Sequence, residues 1–262
     1  MRHGVTLNNK LIMKAKTLIT IIVCASLLFG CKPSVEEGLS YDQYISKAEL
    51  AIRESKGEKA ILYYRKALEL KPSDANTHFI LGEIYDREYD ASYQEATQKH
   101  TFQILTHPEP GRTFYKEDPK ELERYGLKLG YDEKAIQEFR EAIKYDDKNW
   151  QARYRIATDH FNKKHFQEAI EEYKKVIQLN PEYTNSYSLM GEAYMEIGEL
   201  NLAVDIFNTA IKLTPGFDDH DYYKLALVYR KMNNGDKVAE IFKMLKATKS
   251  PYFDDLRLAL YR

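Results

Sequence analysis

Residues 184–217 read TNSYSLMGEAYMEIGELNLAVDIFNTAIKLTPGF, and this window decides the fold. Small residues stand at its eighth and twentieth places, Gly191 and Ala203, and aromatics at its eleventh and twenty-fourth, Tyr194 and Phe207. Small side chains let two antiparallel helices approach closely, while the aromatics fill the space beside the contact. Gly198 permits a turn between the helices, and Pro215 stops the second one. The window therefore encodes a helix pair.

Much of the pattern, which also includes Ala210, recurs along the chain. The window 41–74 carries Ala48, Ala60, Tyr64, Ala67 and Pro72, and 150–183 carries Ala157, Ala169, Tyr173 and Pro181. The window 219–252 carries Ala226, Tyr229, Val238, Phe242 and Leu245, with Pro251 one place late. The window 75–108 has Leu81, Gly82 and Tyr85 on its first helix. Its second helix fits only behind a turn two residues longer, with Ala96 in the small-residue place and Pro108 as terminator. The window 116–149 has a good second helix (Ala135, Phe139, Ala142) and a poor first one, broken by Pro119 and Gly126. Helix pairs of this kind have a bare face until a neighbour stacks on it, so the ends need treatment. Ser40-Tyr-Asp-Gln43 reads as a capping box, with Leu39 and Tyr44 placed for a hydrophobic staple. Beyond Tyr252, one more amphipathic helix covers the last pair.

These offsets resemble the tetratricopeptide repeat. The resemblance implies an all-α, right-handed superhelical solenoid of about six helix pairs over 41–252, closed by a capping helix at 253–262. Most of the 21 tyrosines then belong to repeat cores.

A targeting segment precedes the repeats. Residues 1–30 hold Arg2, Lys10, Lys14 and Lys16 and no acid, and Leu18 to Phe29 form an apolar run. About a dozen residues suit a signal-peptide core and are short for a membrane span. Met13-Lys-Ala-Lys16 also reads as a complete signal start, so Met1 and Met13 both stand as candidate starts. The run ends Leu28-Phe-Gly-Cys31, which resembles a bacterial lipobox. That resemblance implies cleavage before Cys31, acylation of its thiol, and a tether over 31–40 to the repeats. Residues 32–39 reach under roughly 30 Å, so the repeats stay near the membrane. Lys32 stands where an aspartate would favour inner-membrane retention, so the periplasmic face of an outer membrane is expected. In a single-membrane organism it would be the other extracytoplasmic face.

Without residues 1–30 the chain keeps 35 basic side chains against 40 acids, a net charge of −5. Neither that balance nor any Lys/Arg run interleaved with aromatics points to nucleic acid. The histidines show no metal-ligand spacing, and no phosphate loop or nucleophile elbow occurs. Asp218-Asp-His-Asp221 reads as an acidic helix start. The sequence thus calls for no cofactor, no metal and no catalysis.

Function is expected on the concave face, which in the resembled family is lined by places two, five, nine and twelve of each first helix. Place five holds Ile45, Phe79, Tyr154, Ser188 and Tyr223, and place nine holds Glu49, Glu83, Thr158, Glu192 and Leu227. Place twelve holds Ile52, Asp86, Phe161, Met195 and Arg230. The candidate groove residues are Phe79, Glu83, Tyr154, Thr158, Phe161, Ser188, Glu192 and Tyr223. The Lys and Asn that clamp a terminal carboxylate in chaperone-tail binders are missing. An aromatic and acidic groove suits a segment with apolar anchors and positive charge. The reading is a membrane-anchored adaptor for envelope protein partners. It is also similar to pilus-assembly lipoproteins that help a secretin ring form, and to lipoproteins that dock cell-wall hydrolases or outer-membrane assembly factors. A cell-wall-modifying enzyme or its regulatory subunit is disfavoured by the missing site.

Overall fold

The computed structural model describes residues 35–106, 128, 130–214 and 219–260, and the regular structure among them is helical throughout. The signal segment, Cys31, Pro108, residues 116–127 and 129 of the first helix read at 116–131, and Pro215 lie outside the described residues. The chain divides at residue 70 into two compact units. In the first, α1 (Tyr41–Arg53) packs against α2 (Gly57–Leu70). The capping box forms as read: Ser40 Oγ accepts from the Gln43 N–H at 3.3 Å, and Gln43 Oε1 accepts from the Ser40 N–H at 2.9 Å. Ala48, Ala60, Tyr64 and Ala67 are buried between the two helices' facing sides.

The second unit contains α3 (Ala75–Thr106), α4 (Tyr131–Tyr145), α5 (Trp150–Asn162), α6 (Phe166–Leu179), α7 (Thr184–Glu196) and α8 (Leu200–Leu213). It ends with α9 (Asp219–Lys231), α10 (Gly235–Ala247) and α11 (Tyr252–Leu260). The pairs α5/α6, α7/α8 and α9/α10 stand where the repeat windows put them, and each second helix packs on the first helix of the next pair. The last helix, α11, packs on α9 and α10. Its Leu256 is fully buried, and the Phe253 ring lies 4.7 Å from that of Phe242.

The turns inside four pairs share one device. The fifteenth residue of each window (Ser55, Lys164, Gly198 and Asn233) has a positive φ of 57°, 63°, 85° and 58°. The next N–H then bonds the carbonyl five residues back: Lys56 to Ala51, His165 to His160, Glu199 to Tyr194 and Asn234 to Tyr229, at 2.8–2.9 Å. This left-handed cap satisfies the helix end and reverses the chain. It also limits α1, α5, α7 and α9 to 13 residues each.

The window at 75–108 departs from this rule. Its fifteenth residue is Tyr89, and a bulky aromatic is disfavoured in the left-handed region. The expected turn does not form, and α3 continues unbroken for 32 residues, with Ala96 on the same helix as Gly82. The partner of Gly82 is instead Phe139 of α4. A Cβ on Gly82 would lie 2.6 Å from Phe139 Cε1, matching the 2.9 Å that one on Gly191 would have from Phe207 Cζ. Phe79 and Tyr85 of α3 reinforce the contact, with rings 5.9 Å from Phe139 and 5.1 Å from Tyr131. Gly82 and Ala135 are 53 positions apart, whereas Gly191 and Ala203 are 12 apart, so 41 extra residues divide this pair. Among the described residues, the first helix of window 75–108 is thus paired with the second helix of window 116–149, and the described helices make five pairs. Phe139 is as buried as Phe207, and truncating such a ring to alanine costs about 3–5 kcal/mol.

A part-buried ion pair joins the same two helices. His78 Nδ1 lies 2.6 Å from Glu138 Oε2, and Nε2 lies 2.9 Å from the Pro72 carbonyl. With Glu138 ionised both partners accept, an arrangement that favours the doubly protonated imidazolium. Tyr145 stacks on it at 5.7 Å. Burial pulls the His78 pKa down, but the bonds to Glu138 and to Pro72 outweigh it and hold the value above the ordinary one. A raised folded-state pKa adds stability that is complete below about pH 6.5, the unfolded value, and is lost as pH rises through the folded value. Urea unfolding from about pH 5.5 to about pH 9 should show this loss in the native protein and not in His78→Gln. Identical pH slopes for the two proteins would contradict the imidazolium.

Candidate partner-binding face

The first helices of successive pairs in the second unit meet through charges. Arg155 of α5 grips Glu83 of α3 with Nε to Oε1 at 2.6 Å and Nη2 to Oε2 at 2.8 Å, and its Nη1 lies 3.2 Å from Asp86. Two pairs further on, Lys224 of α9 lies 2.5 Å from Glu192 of α7. Glu83 and Glu192 occupy place nine of their helices, and Arg155 and Lys224 occupy place six of the following ones. The register between them offers Thr158 and Leu189 at the same two places, and carries no ion pair. Place nine alone presents the two glutamates as negative charge on offer to a partner; in the structure each is held by a cation of the next repeat. Reading place six as well as place nine would have found this.

The remaining candidate residues separate by their neighbours. Tyr154 is wedged between Tyr173, at 6.1 Å, and Tyr183, edge-on at 4.9 Å. Burial, with Tyr183 adding to it, pushes its pKa up to about 12. Thr158 donates to the Tyr154 carbonyl at 2.9 Å and lies 3.3 Å from the Tyr173 hydroxyl. Phe161 packs edge-on to Phe166 at 5.5 Å, and Phe79 packs toward Phe139. Ser188 donates to Asp221 Oδ2 at 3.0 Å, across to the next first helix. Tyr223 stacks at 5.3 Å on Tyr252, so the last place-five aromatic faces the terminal helix. The eight therefore do not form one open stripe. Asp221, from the acidic helix start, is buried. Among the described residues no group of three His, Cys, Asp or Glu side chains is placed to hold a metal ion. Among them, too, no helix is long and apolar enough to cross a membrane.

What the face does contain is a cavity of about 260 Å³ between α3, α4 and α5. Ile136 and Phe139 form its apolar part, and Thr158 and Asn162 contribute neutral polar groups. Its charges are Asp86, Asp90, Asp132 and Asp159 against Arg155 and Lys163. Burial raises the Asp86 pKa; Arg155 opposes the rise, while Asp90, Glu83 and Asp159 add to it. Lys163 pairs with Asp159 at 2.8 Å. Thr158 is the one candidate groove residue that lines this cavity. Asp90 and Asp132 escaped the sequence reading because they become neighbours only when α3 runs past the usual turn.

Comparison with known proteins agrees with the fold. Residues 159–198 match the family described as TPR repeat, and residues 44–74, 125–149 and 184–217 match the tetratricopeptide repeat. Anaphase-promoting complex subunit 3 of Dictyostelium discoideum is 32% identical over 74 residues, 28% of this chain and 8% of that protein. The BBSome complex member BBS4 of Bos taurus is 25% identical over 96 residues, 37% of this chain and 18% of that protein. The chain thus spans a small fraction of these relatives. Among solved structures, MamA from Desulfovibrio magneticus RS-1 superposes with a TM-score of 0.57 at 15% identity, covering 82% of this chain and 97% of that one. YrrB, a TPR protein with an unusual peptide-binding site, superposes with a TM-score of 0.58 at 19% identity, covering 84% and 91%. The matched segments are tetratricopeptide repeats, and the fold is that of a tetratricopeptide-repeat protein.

The charge pairing between first helices is measurable. A double-mutant cycle on Glu83 and Arg155 should return a coupling of about 1 kcal/mol at low salt, the upper end for a partly exposed pair, because the contact is bidentate. The same cycle on Thr158 and Leu189 should return none. Zero coupling for Glu83 and Arg155 at low salt would contradict a pairing that withholds the glutamate from a partner.

Proposed function

We propose that this protein is an adaptor that binds segments of partner proteins on the first-helix face of its second unit. On this reading it is held by lipid on Cys31 at the periplasmic face of an outer membrane, where it assembles an envelope complex. The observation that carries the binding role is the polar, partly apolar cavity between α3, α4 and α5, in a fold made of tetratricopeptide repeats. An open face of parallel first helices gives an extended or helical segment both anchoring pockets and charged rims. The peptide-binding site attributed to YrrB supports this use of the fold, without assigning a ligand here. The anchor is supported by the apolar run from Leu18 to Phe29 followed by Leu28-Phe-Gly-Cys31. One acyl chain holds a protein only marginally, so a lasting anchor needs more than one chain on the mature N-terminus.

Both halves of the proposal have a test. A photo-crosslinking residue placed at Thr158 should capture discrete protein partners in cells, while one at Glu171, exposed on the outer helix α6, should not. In the same cells Cys31→Ser should abolish labelled-palmitate incorporation and release the protein from the membrane fraction. Palmitate uptake by Cys31→Ser would refute the anchor, and equal capture at Thr158 and Glu171 would refute the binding face.

A further inference from the structure

Among the described residues, the cavity between α3, α4 and α5 owes part of its wall to the insertion. In the other pairs the first helix stops after 13 residues, a point that falls at Arg87 in α3. Tyr89 and Asp90 lie beyond that point and line the cavity only because the helix continues. Across from them, α4 begins at Tyr131 and brings in Asp132, and α5 supplies Asp159 and Arg155. A 34-residue repeat with the usual tight turn has no Tyr89–Asp90 wall.

We propose that this insertion-built cavity receives an arginine side chain from an extended segment of a partner protein. The inference rests on the first-helix face being the binding face, and names the chemistry it selects. Its size argues for one long side chain, since about 260 Å³ falls below the roughly 300–1,000 Å³ typical of small-molecule sites. Its charge argues for a cation. Four carboxylates face two cations, and both cations are engaged: Lys163 with Asp159, and Arg155 with Asp86 and with Glu83, outside the cavity. Asp90 and Asp132 make no ion pair with a cation of the described residues. The choice of guanidinium over ammonium follows from the cavity's own Arg155, whose planar fork is gripped by two carboxylates. It follows too from the Tyr89 wall: a guanidinium is less strongly hydrated than an ammonium and packs flat on a ring. Burial raises the Asp86 pKa even with Arg155 beside it, so a second cation there meets a carboxylate that gains from it.

The test uses the full-length protein in detergent and three fluorescein-labelled nonapeptide pools, identical except for a central arginine, citrulline or lysine. Citrulline keeps the shape of arginine and removes its charge. The arginine pool should bind about tenfold tighter than the other two, with the advantage shrinking as salt is raised. Asp90→Asn/Asp132→Asn should erase the preference, with Asp90→Asn alone intermediate. Circular dichroism verifies that the variants stay helical, and Glu171→Gln on the outer surface should leave the preference intact. Equal binding of arginine and citrulline pools overturns the arginine pocket while sparing the binding face. Equal binding of arginine and lysine pools overturns the choice of guanidinium. Preference surviving in the double variant moves the site elsewhere, and no binding of any pool overturns both readings.

Discussion

A small residue at the eighth place of each first helix lets its partner helix close on it. In two of the five described pairs it is a glycine that receives the flat face of a phenylalanine, and the closure of those pairs depends on that contact. At Gly191 the partner is Phe207, and at Gly82 it is Phe139. Any side chain at either glycine would enter the ring, so the helices could not approach closely enough to bury the alanines that flank the contact. Ala203 and Ala210 in one pair, and Ala135 and Ala142 in the other, have almost no exposed surface. Helix pairs closed this way bury little alone, and stacking each second helix on the next first helix completes the core. The contact tolerates a long detour of the chain because it is made by two helices, whatever joins them. Loop-closure entropy grows only slowly with length, so 41 inserted residues cost little beyond a short turn.

Most of the fold was legible because close packing repeats with the sequence. The pairs at 41–74, 150–183, 184–217 and 219–252, the capping box at Ser40 and the helix after Tyr252 all stand where small residues, aromatics and caps put them. The division between 75 and 149 was not legible. Ala96 mimics the small-residue place, so a local ruler found a second helix beside Gly82 where the chain makes none. The signal against it was conformational: Tyr89 falls at the one place that demands a left-handed backbone. Ser55, Lys164, Gly198 and Asn233 accept that demand.

The candidate site was less legible than the fold, for an electrostatic reason. A column of equivalent places shows what each first helix presents, but not what the next one presents to it. Glu83 and Glu192 looked available in isolation and are held by Arg155 and Lys224 one helix away. Tyr223 looked exposed until the terminal helix laid Tyr252 over it. The carboxylates in excess lie instead where the insertion carries α3 past its usual end, at Asp90, and restarts the pair, at Asp132. The departure from repeat geometry and the unbalanced charge thus have one origin, and both fall on the cavity assigned to a partner.

The central claim, that one repeat is closed across the insertion by Gly82 and Phe139, has a direct measurement. Deleting residues 90–130 and placing glycine at Tyr89 restores the 12-residue spacing between Gly82 and Ala135 and supplies the missing left-handed position. The account predicts a shortened protein that keeps its helical circular dichroism, melts in one cooperative transition, and loses stability again, by about 3–5 kcal/mol, when Phe139→Ala is added. A shortened protein that is unfolded, or one indifferent to Phe139→Ala, would contradict the pairing.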